Sequence, residues 1–204
     1  MIVTKIERQK KKERFNVHLD GEYAFAVDGD TLLNFRSLRV GNELSEDELS
    51  AIKVEGEKRA AYARGFAYLS RSMHTVREVR DKLKKLAYTD GAVDYALDRL
   101  AGLHLTDDAA YARAYVETHA TKGKLRLRHE LIAKGVSREV IDDALSECIS
   151  EEDELDSATL LAEKFWAQTH DKVKVMRRLL SRGYTYSVIE SAISAVKGAD
   201  DEEF

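Results

Sequence analysis

The sequence has no proline and a single cysteine in 204 residues. An average chain of this length carries roughly ten prolines. Collagen-like and proline-rich structures are therefore excluded, and long helices are favoured because no proline ring interrupts them. Cys148 has no second cysteine to pair with, which indicates a reducing compartment. We expect it to act as a small buried hydrophobic residue.

Long hydrophobic runs are also missing. No stretch approaches the roughly 18 consecutive apolar residues of a membrane-spanning helix, and the basic N-terminal segment is not followed by the apolar core of a signal peptide. We therefore expect a cytoplasmic protein without membrane contact. The net charge of −4 argues by itself against a dedicated nucleic-acid binder.

Catalytic and metal-binding patterns are not found either. Residues 121–124 lack the flanking residues of a phosphate-binding loop, and His129-Glu130 lacks the second histidine of a zinc-protease helix. The six histidines have no ligand spacing. We interpret Asp107 and Asp108 as the start of a helix, where the helix dipole favours negative charge, and not as a catalytic pair. The expectation is a protein with no catalytic residues, no metal and no cofactor.

The N-terminal residues alternate between apolar and polar on both sides of Asp20-Gly21, a dipeptide typical of a type I′ hairpin turn. The apolar positions are Phe15, Val17 and Leu19 before the turn and Tyr23, Phe25 and Val27 after it. Residues 2–6 supply a candidate third strand. Because a lone hairpin is marginal in water, we expect the sheet to pack against the first helical unit and to cover its apolar side chains.

After residue 45 the sequence is helical and repeats itself at an offset of 48 residues. A capping box, Ser45 with Glu48, opens a helix that we expect to run to about Arg71, with Gly56 as a candidate interruption. The coinciding apolar triples are Val79–Leu127–Val175, Leu83–Leu131–Leu179, Val93–Ile141–Ile189, Ala96–Ala144–Ala192 and Leu97–Leu145–Ile193. One such triple arises by chance about one time in eight, so five at one offset indicate a true repeat.

Polar positions follow the same offset. A good N-cap residue recurs at Thr89, Ser137 and Thr185, a helix-ending position at Ala87, Gly135 and Gly183, and an acid at Asp94, Asp142 and Glu190. Each repeat therefore has a tight turn between its second and third helices. The acid lies where the dipole of the third helix favours it.

We predict a mainly α-helical fold of three tandem three-helix repeats behind a small N-terminal sheet. The repeats occupy residues 58–105, 106–153 and 154–204, the last with an acidic tail, and residues 1–57 hold the hairpin and lead-in helices. Nine main helices are expected after residue 45, with no strand between residues 60 and 197. Stacked repeats of this kind form an elongated, curved array that binds long partners.

Basic residues are concentrated on the second helix of each repeat, whereas the third helices and the linkers are acidic. The candidate binding residues are Arg71, Arg77, Arg80 and Lys84 in the first repeat, Lys122, Lys124, Arg126 and Arg128 in the second, and Lys172, Lys174, Arg177, Arg178 and Arg182 in the third. One interpretation is a solvated helix face with intrahelical ion pairs. The other is a basic stripe that holds a polyanion or an acidic protein surface, and its recurrence in three repeats favours it.

Arg126 and Lys174 coincide at the offset of 48. On a helical wheel Arg126 lies about 100° from the core residue Leu127. We therefore expect both basic side chains to project away from the core. Reversing the charge of both should then weaken partner binding while leaving the fold intact.

Three stretches carry a resemblance to a known family. The first is Phe66-Ala67-Tyr68-Leu69-Ser70-Arg71, continuing through Thr75 and Glu78 to Leu83; the second is residues 105–112, followed by Lys122-Gly123 and residues 130–136; the third is residues 179–189. In order and spacing they resemble the RecX family, bacterial regulators of the RecA recombinase. The N-terminal strands look like the extension of Firmicute members, and Lys124 stands where proline often follows the glycine.

The resemblance implies a non-enzymatic protein that lies along the groove of the RecA–DNA filament. Such proteins limit filament growth and reduce strand exchange, ATP hydrolysis and repressor cleavage in DNA repair and the SOS response. The implied partner is the RecA filament, with single- and double-stranded DNA as further candidates, bound by a monomer. The residues alone leave a second function open, a stand-alone helical-repeat nucleic-acid-binding protein, against which the net charge and the acidic third helices count.

Overall fold

The computed structural model describes residues 1–10 and 14–202, and side chains within that range as far as residue 196. A three-stranded sheet and a short helix precede nine further helices in these residues, as predicted, and no strand lies in the described chain between residues 60 and 197. The elements are β1 (Val3–Arg8), β2 (Arg14–Leu19), β3 (Glu22–Asp28), α1 (Gly29–Asn34), α2 (Glu46–Leu69), α3 (Val76–Lys85), α4 (Asp90–Gly102), α5 (Asp108–Thr118), α6 (Lys124–Ala133), α7 (Arg138–Cys148), α8 (Glu151–Thr169), α9 (Lys172–Arg182) and α10 (Tyr186–Glu202).

The sheet is antiparallel with the order β1-β2-β3. Asp20 and Gly21 form the two-residue turn with φ of 49° and 92°, which confirms the predicted type I′ hairpin. Val27 is buried, but Tyr23 is 59% exposed, so the expectation that it needs cover is wrong. The β2–β3 register shifts after Val17, which pairs Tyr23 with His18 and breaks the alternation.

The sheet packs against the first half of α2, as expected. Its buried residues form one apolar core with the loop residue Leu44 and with Ile52 of α2. The other members of this core are Val3, Val17, Leu19, Val27 and Leu38, with Ile6, Phe15, Phe25, Leu32, Phe35 and Leu49 partly buried against it. Burial of this apolar surface compensates for the marginal stability of a lone hairpin.

The helical repeat is confirmed by burial. Every member of the five apolar triples is at most 6% exposed. Helices α5–α7 surround one apolar core and α8–α10 surround another. Cys148 is half-buried at the edge of the α5–α7 core, and this burial raises the pKa of its thiol.

Helix α2 is continuous through Gly56, so the candidate interruption is not present. A Cβ at Gly56 would lie 3.8 Å from a methyl group of Val27. That distance is an ordinary van der Waals contact, so the packing of β3 against α2 does not require a glycine here. Residue 58, the expected start of the first repeat, lies in the middle of this helix.

The turns between second and third helices follow the predicted pattern. Gly135 and Gly183 have φ of 90°, and Ala87 has φ of 62° although it carries a side chain. Ser137 accepts a hydrogen bond from the backbone of its own helix, as predicted for an N-cap. Thr89 differs, because its amide and hydroxyl both donate to the Glu57 carboxylate of α2.

The chain divides into two compact units. The first contains Met1–Met73 and Val79–Thr106, and the second contains His74–Glu78 and the chain from Asp107 onward. The sheet and most of the first repeat thus belong to one unit. The second and third repeats form the other together with the residues at the start of α3.

Ala87 and Gly183 provide a matched test of the turn conformation. An L-residue with a side chain is strained at positive φ, so Ala87→Gly should raise the free energy of unfolding by about 0.5–1 kcal/mol. Gly183→Ala should lower it by more than about 2 kcal/mol, because a Cβ there would overlap the backbone of Arg126. Urea denaturation of both variants measures the difference, and destabilisation by Ala87→Gly would contradict it.

Candidate partner-binding surface

The thirteen candidate residues occupy the second helices and the loops before them. Arg71 follows α2; Arg77, Arg80 and Lys84 lie on α3; Lys122 precedes α6; Lys124, Arg126 and Arg128 lie on α6; and Lys172, Lys174, Arg177, Arg178 and Arg182 lie on α9. Each second helix buries two apolar residues of the repeated triples in a core. The basic residues differ in whether protein groups already satisfy their charge.

Two arginines at equivalent positions tie second helices to third helices. Arg80 donates to Asp94 at 2.7 Å in the first repeat, and Arg128 donates to Asp142 at 2.6 Å in the second. The acids that the sequence predicted as dipole partners are thus also ion-pair partners. In the third repeat Met176 stands at the arginine position. Arg80 and Arg128 therefore serve the packing of their own repeats.

Glu130 on α6 collects three donors. Its carboxylate accepts hydrogen bonds from Lys122 at 2.7 Å, Arg126 at 3.0 Å and the Tyr115 hydroxyl at 2.9 Å. Burial disfavours the charge, but the three hydrogen bonds outweigh it and lower the pKa of Glu130 to about 2. Burial and the bond to Glu130 raise the pKa of Tyr115 to about 12. Lys122 and Arg126 are therefore partly neutralised inside the repeat.

Aromatic rings continue this network along α5. Tyr115 stacks on Tyr111 at 6.1 Å and on His119 at 4.1 Å between ring centres. The Lys134 ammonium lies 5.4 Å and 5.6 Å from the two tyrosine rings and pairs with Glu78 at 2.9 Å. Hydrogen bonds with Tyr111 and Glu78 raise the pKa of Lys134. The rings contact each other and the lysine, so the network holds α5 against α6.

Carboxylates of the following repeat cap two second helices. Asp108 accepts from the Val76 amide at 2.9 Å, and Glu154 accepts from the Lys124 amide at 3.0 Å. Glu154 is buried and also lies 3.8 Å from the Lys124 ammonium. Asp107 caps α5 as predicted, whereas Asp108 serves the start of α3. The sequence could not reveal these caps because each joins residues about 30 positions apart.

Backbone contacts complete the same two junctions. The Thr75 hydroxyl donates to the Lys134 carbonyl at 2.7 Å, and the Gly123 amide donates to the Arg182 carbonyl at 3.0 Å. Thr75 and Gly123 are equivalent at the offset of 48, as are Lys134 and Arg182. The start of a second helix therefore docks in the same way on the turn of the next repeat.

Arg126 projects off the core of its own repeat, as expected, but its charge is satisfied within the fold. Its guanidinium donates to the Ser181 carbonyl at 3.1 Å as well as to Glu130. Its backbone and Cβ lie directly against Gly183. The helical wheel placed Arg126 off the core of its own repeat correctly, but it did not include the neighbouring repeat. Arg77 is similar, with its side chain against Gly135.

Among the thirteen candidates, the exposed cations that remain are concentrated on α9. Val173, Lys174, Arg177 and Leu180 form one exposed helix face, which we call the α9 surface. Its apolar members are 56% and 37% exposed, and Lys174 pairs with Asp171 at 3.4 Å. Within the described residues, Arg177 has no ion-pair partner.

The other candidates differ in exposure. Lys172 and Arg71 are exposed, and Arg182 is half-buried. Lys84 pairs with Asp90 at 3.0 Å. Arg178 donates to a glutamine at 2.8 Å and lies over a phenylalanine ring. Most of the candidate residues that are exposed and not satisfied within the fold therefore lie on the third repeat.

Four family models match successive parts of the chain. Residues 1–45 match the regulatory protein RecX N-terminal domain, and residues 61–100, 107–145 and 151–193 match the first, second and third three-helix domains of RecX. A regulatory protein RecX from Limosilactobacillus reuteri is 36% identical over 92% of this chain and 74% of its own length. The chain belongs to the RecX family. The three RecX three-helix domains correspond to the repeats, and the RecX N-terminal domain corresponds to the sheet and α1.

Further RecX proteins agree with this assignment. The one from Halalkalibacterium halodurans is 36% identical, covering 99% of this chain and 80% of the relative. A crystal structure of regulatory protein RecX superimposes with a TM-score of 0.76 at 36% identity, covering 93% of this chain and 97% of that one. RecX from Lactobacillus salivarius gives 0.65 at 27% identity, covering 69% and 97%.

Across the part of this RecX chain that the structure describes, no helix combines the length and apolar character needed to cross a membrane.

Arg126 and Lys174 should differ in their effect on stability. Arg126→Glu removes bonds to Glu130 and Ser181 and places two carboxylates together, so it should lower the free energy of unfolding by about 1–3 kcal/mol. Lys174→Glu, on an exposed helix face, should change it by about 0.5 kcal/mol or less. Thermal denaturation of the two variants provides the measurement, and equal stability of both would refute the structural role of Arg126.

Glu130 should make the stability of the second unit depend on acid pH. Its pKa is about 2 in the folded chain against an ordinary 4.5, so its contribution is present above about pH 4.5 and is lost as the pH falls towards 2. The melting temperature of Glu130→Gln should therefore fall less between pH 5 and pH 3 than that of the wild type. Glu163→Gln, at an exposed position on α8, is the control and should follow the wild-type profile.

Proposed function

We propose that this chain is a non-enzymatic regulator that binds the RecA–DNA filament and inhibits the recombinase, ATPase and coprotease activities of RecA in DNA repair and the SOS response. The observation that carries the proposal is the similarity, over nearly the whole chain, to proteins named regulatory protein RecX. A regulator of this kind needs a surface that holds the filament and no chemistry of its own.

The α9 surface is the part of the chain that we assign to the filament. Its exposed cations attract an acidic surface over long range, and burial of Val173 and Leu180 adds the apolar contact that a protein partner supplies. Much of the basic charge on α3 and α6 is satisfied within the fold. The basic residues of α3 and α6 therefore contribute less to binding than their number indicates.

The proposal includes the remaining properties expected from the sequence. It places a monomer in the cytoplasm, without metal or cofactor, and with direct contact to single- or double-stranded DNA as a secondary mode. It also retains the division of the chain into an N-terminal segment, residues 1–57, and repeats at 58–105, 106–153 and 154–204.

A stand-alone nucleic-acid-binding protein is the second candidate. The unneutralised cations Lys172 and Arg177 favour it, since both are exposed at the third repeat. Phosphate contacts alone do not need the exposed apolar side chains between them. The two candidates differ in whether DNA binds tightly in the absence of RecA.

Reversal of the α9 charges tests the proposal. In a variant combining Lys172→Glu, Lys174→Glu and Arg177→Glu, about tenfold more protein should be needed to inhibit RecA ATPase, because like charge then faces the acidic or phosphate surface. Inhibition by the wild type should weaken as salt rises. Direct duplex contact would add a logarithmic slope of about −0.9 per phosphate.

The control carries the same change of charge elsewhere, with Arg36→Glu, Arg39→Glu and Lys164→Glu, all at exposed positions. It should inhibit RecA as the wild type does. Equal inhibition by all three proteins at every salt concentration would make the α9 surface a solvated face. Tight DNA binding without RecA, lost in the α9 variant, would favour the second candidate.

A further inference from the structure

The first unit has a groove that is separate from the α9 surface. A cavity of about 440 Å³ lies between the sheet and α2, next to the α3–α4 turn, and its lining includes Arg14, Arg64, Leu86 and Tyr88. A second cavity of about 260 Å³ shares Arg14 and Tyr88 and extends to Phe25. The groove therefore combines basic side chains of β2 and α2 with the apolar side chain of Phe25 on β3.

The groove occupies an equivalent place in the repeat. Leu86 in the α3–α4 turn corresponds to Lys134 and Arg182 at the offset of 48. The first helices are related by burial, because Ala61, Ala112 and Ala158 are each fully buried. This side of α2 therefore corresponds to the sides of α5 and α8 that receive the preceding repeat.

A peptide segment fills the equivalent place in the other two repeats. The carbonyls of Lys134 and Arg182 accept hydrogen bonds from Thr75 and Gly123 respectively. Within the described residues, the equivalent carbonyl of Leu86 accepts no hydrogen bond. The first repeat thus has the receiving backbone group without the segment that occupies it elsewhere.

Two substitutions open the groove and change its chemistry. With the buried alanines in register, Ala60 and Arg64 stand where the second repeat has Tyr111 and Tyr115. The small side chain of Ala60 leaves the space that a tyrosine ring occupies in the second repeat. Arg64 adds an exposed guanidinium at the same edge.

Two guanidinium groups at the groove have unused hydrogen-bond donors, whereas the carboxylates near it already accept hydrogen bonds from the protein. Arg14 donates to a neutral carbonyl, that of Ala26, at 2.7 Å, and Arg64 has no ion-pair partner in the described chain. The carboxylates nearby are already engaged: Asp28 by the Thr31 amide, Asp30 and Glu55 by Arg59, and Glu57 by Thr89. A guanidinium binds a carboxylate through two parallel hydrogen bonds, so the unused capacity suits an acidic ligand.

We propose that this groove binds an extended acidic peptide segment of a partner protein. A backbone amide of the peptide donates to the Leu86 carbonyl, as Gly123 does to Arg182 in the third repeat. Carboxylates of the peptide bind Arg14 and Arg64, and an apolar side chain lies against Phe25. Peptide is favoured over nucleic acid because a polypeptide segment occupies both equivalent sites, through the Thr75 hydroxyl in one and the Gly123 amide in the other. The proposal does not depend on RecA.

The test measures fluorescence anisotropy of a fluorescein-labelled peptide in which leucine alternates with pairs of acidic residues, added to the full chain without RecA. Arg64→Glu should weaken binding about tenfold or more, since a charge-assisted pair becomes a repulsion. Ala60→Tyr, which places a large ring where Ala60 lines the cavity, should weaken it similarly by reducing the free volume of the groove. Arg39→Glu is the matched control and should bind as the wild type does.

Three results would overturn the proposal. The first is no binding of the peptide at millimolar concentration. The second is binding that Arg64→Glu and Ala60→Tyr leave unchanged. The third is a labelled single-stranded oligonucleotide that binds more tightly than the peptide and responds to the same two variants, which would make the groove a nucleic-acid site. Failure of any kind here leaves the RecA ATPase experiment on the α9 surface unaffected, because the variants do not overlap.

Discussion

A carboxylate from one repeat caps the second helix of the repeat before it. This contact joins successive repeats within the second unit. Asp108 performs it for α3 and the buried Glu154 for α6. The first amides of a helix have no partner within the helix, so an acid at this place supplies both a hydrogen bond and a favourable interaction with the dipole. Three-helix repeats with small cores are joined by polar contacts as well as apolar ones.

Contacts within and between the repeats satisfy much of the basic charge on the second helices. Arg126 is held by Glu130 and a carbonyl of the next repeat, and Arg80 and Arg128 are held by acids of their own repeats. A cation with a protein partner gives less to binding, since that partner must be lost or shared. The number of basic residues on a helix therefore overestimates the surface available to another molecule, and among the candidate residues those of α9 are the most exposed.

Repeats of one architecture differ in function through a few positions. Tyr111 and Tyr115 stand on the receiving side of the second repeat, whereas Ala60 and Arg64 stand at the equivalent positions of the first repeat. The cores hardly change, because the apolar triples are equally buried in all three copies. A repeat fold can thus vary its surface residues while its core packing stays the same. Membership of the RecX family therefore says more about the core of this chain than about its surface.

The sequence by itself determined the hairpin turn at Asp20-Gly21, the three-helix period and the buried positions, because these depend on residues close in the chain or on apolar spacing. It also identified which helices carry basic charge. Only the tertiary structure decided which cations are free. Arg126 and Lys174 share one repeat position, yet Arg126 donates to Ser181 of the next repeat, 55 residues away, whereas Lys174 pairs with Asp171 of its own repeat. A helical wheel describes one helix, whereas the availability of a charge depends on what packs against it.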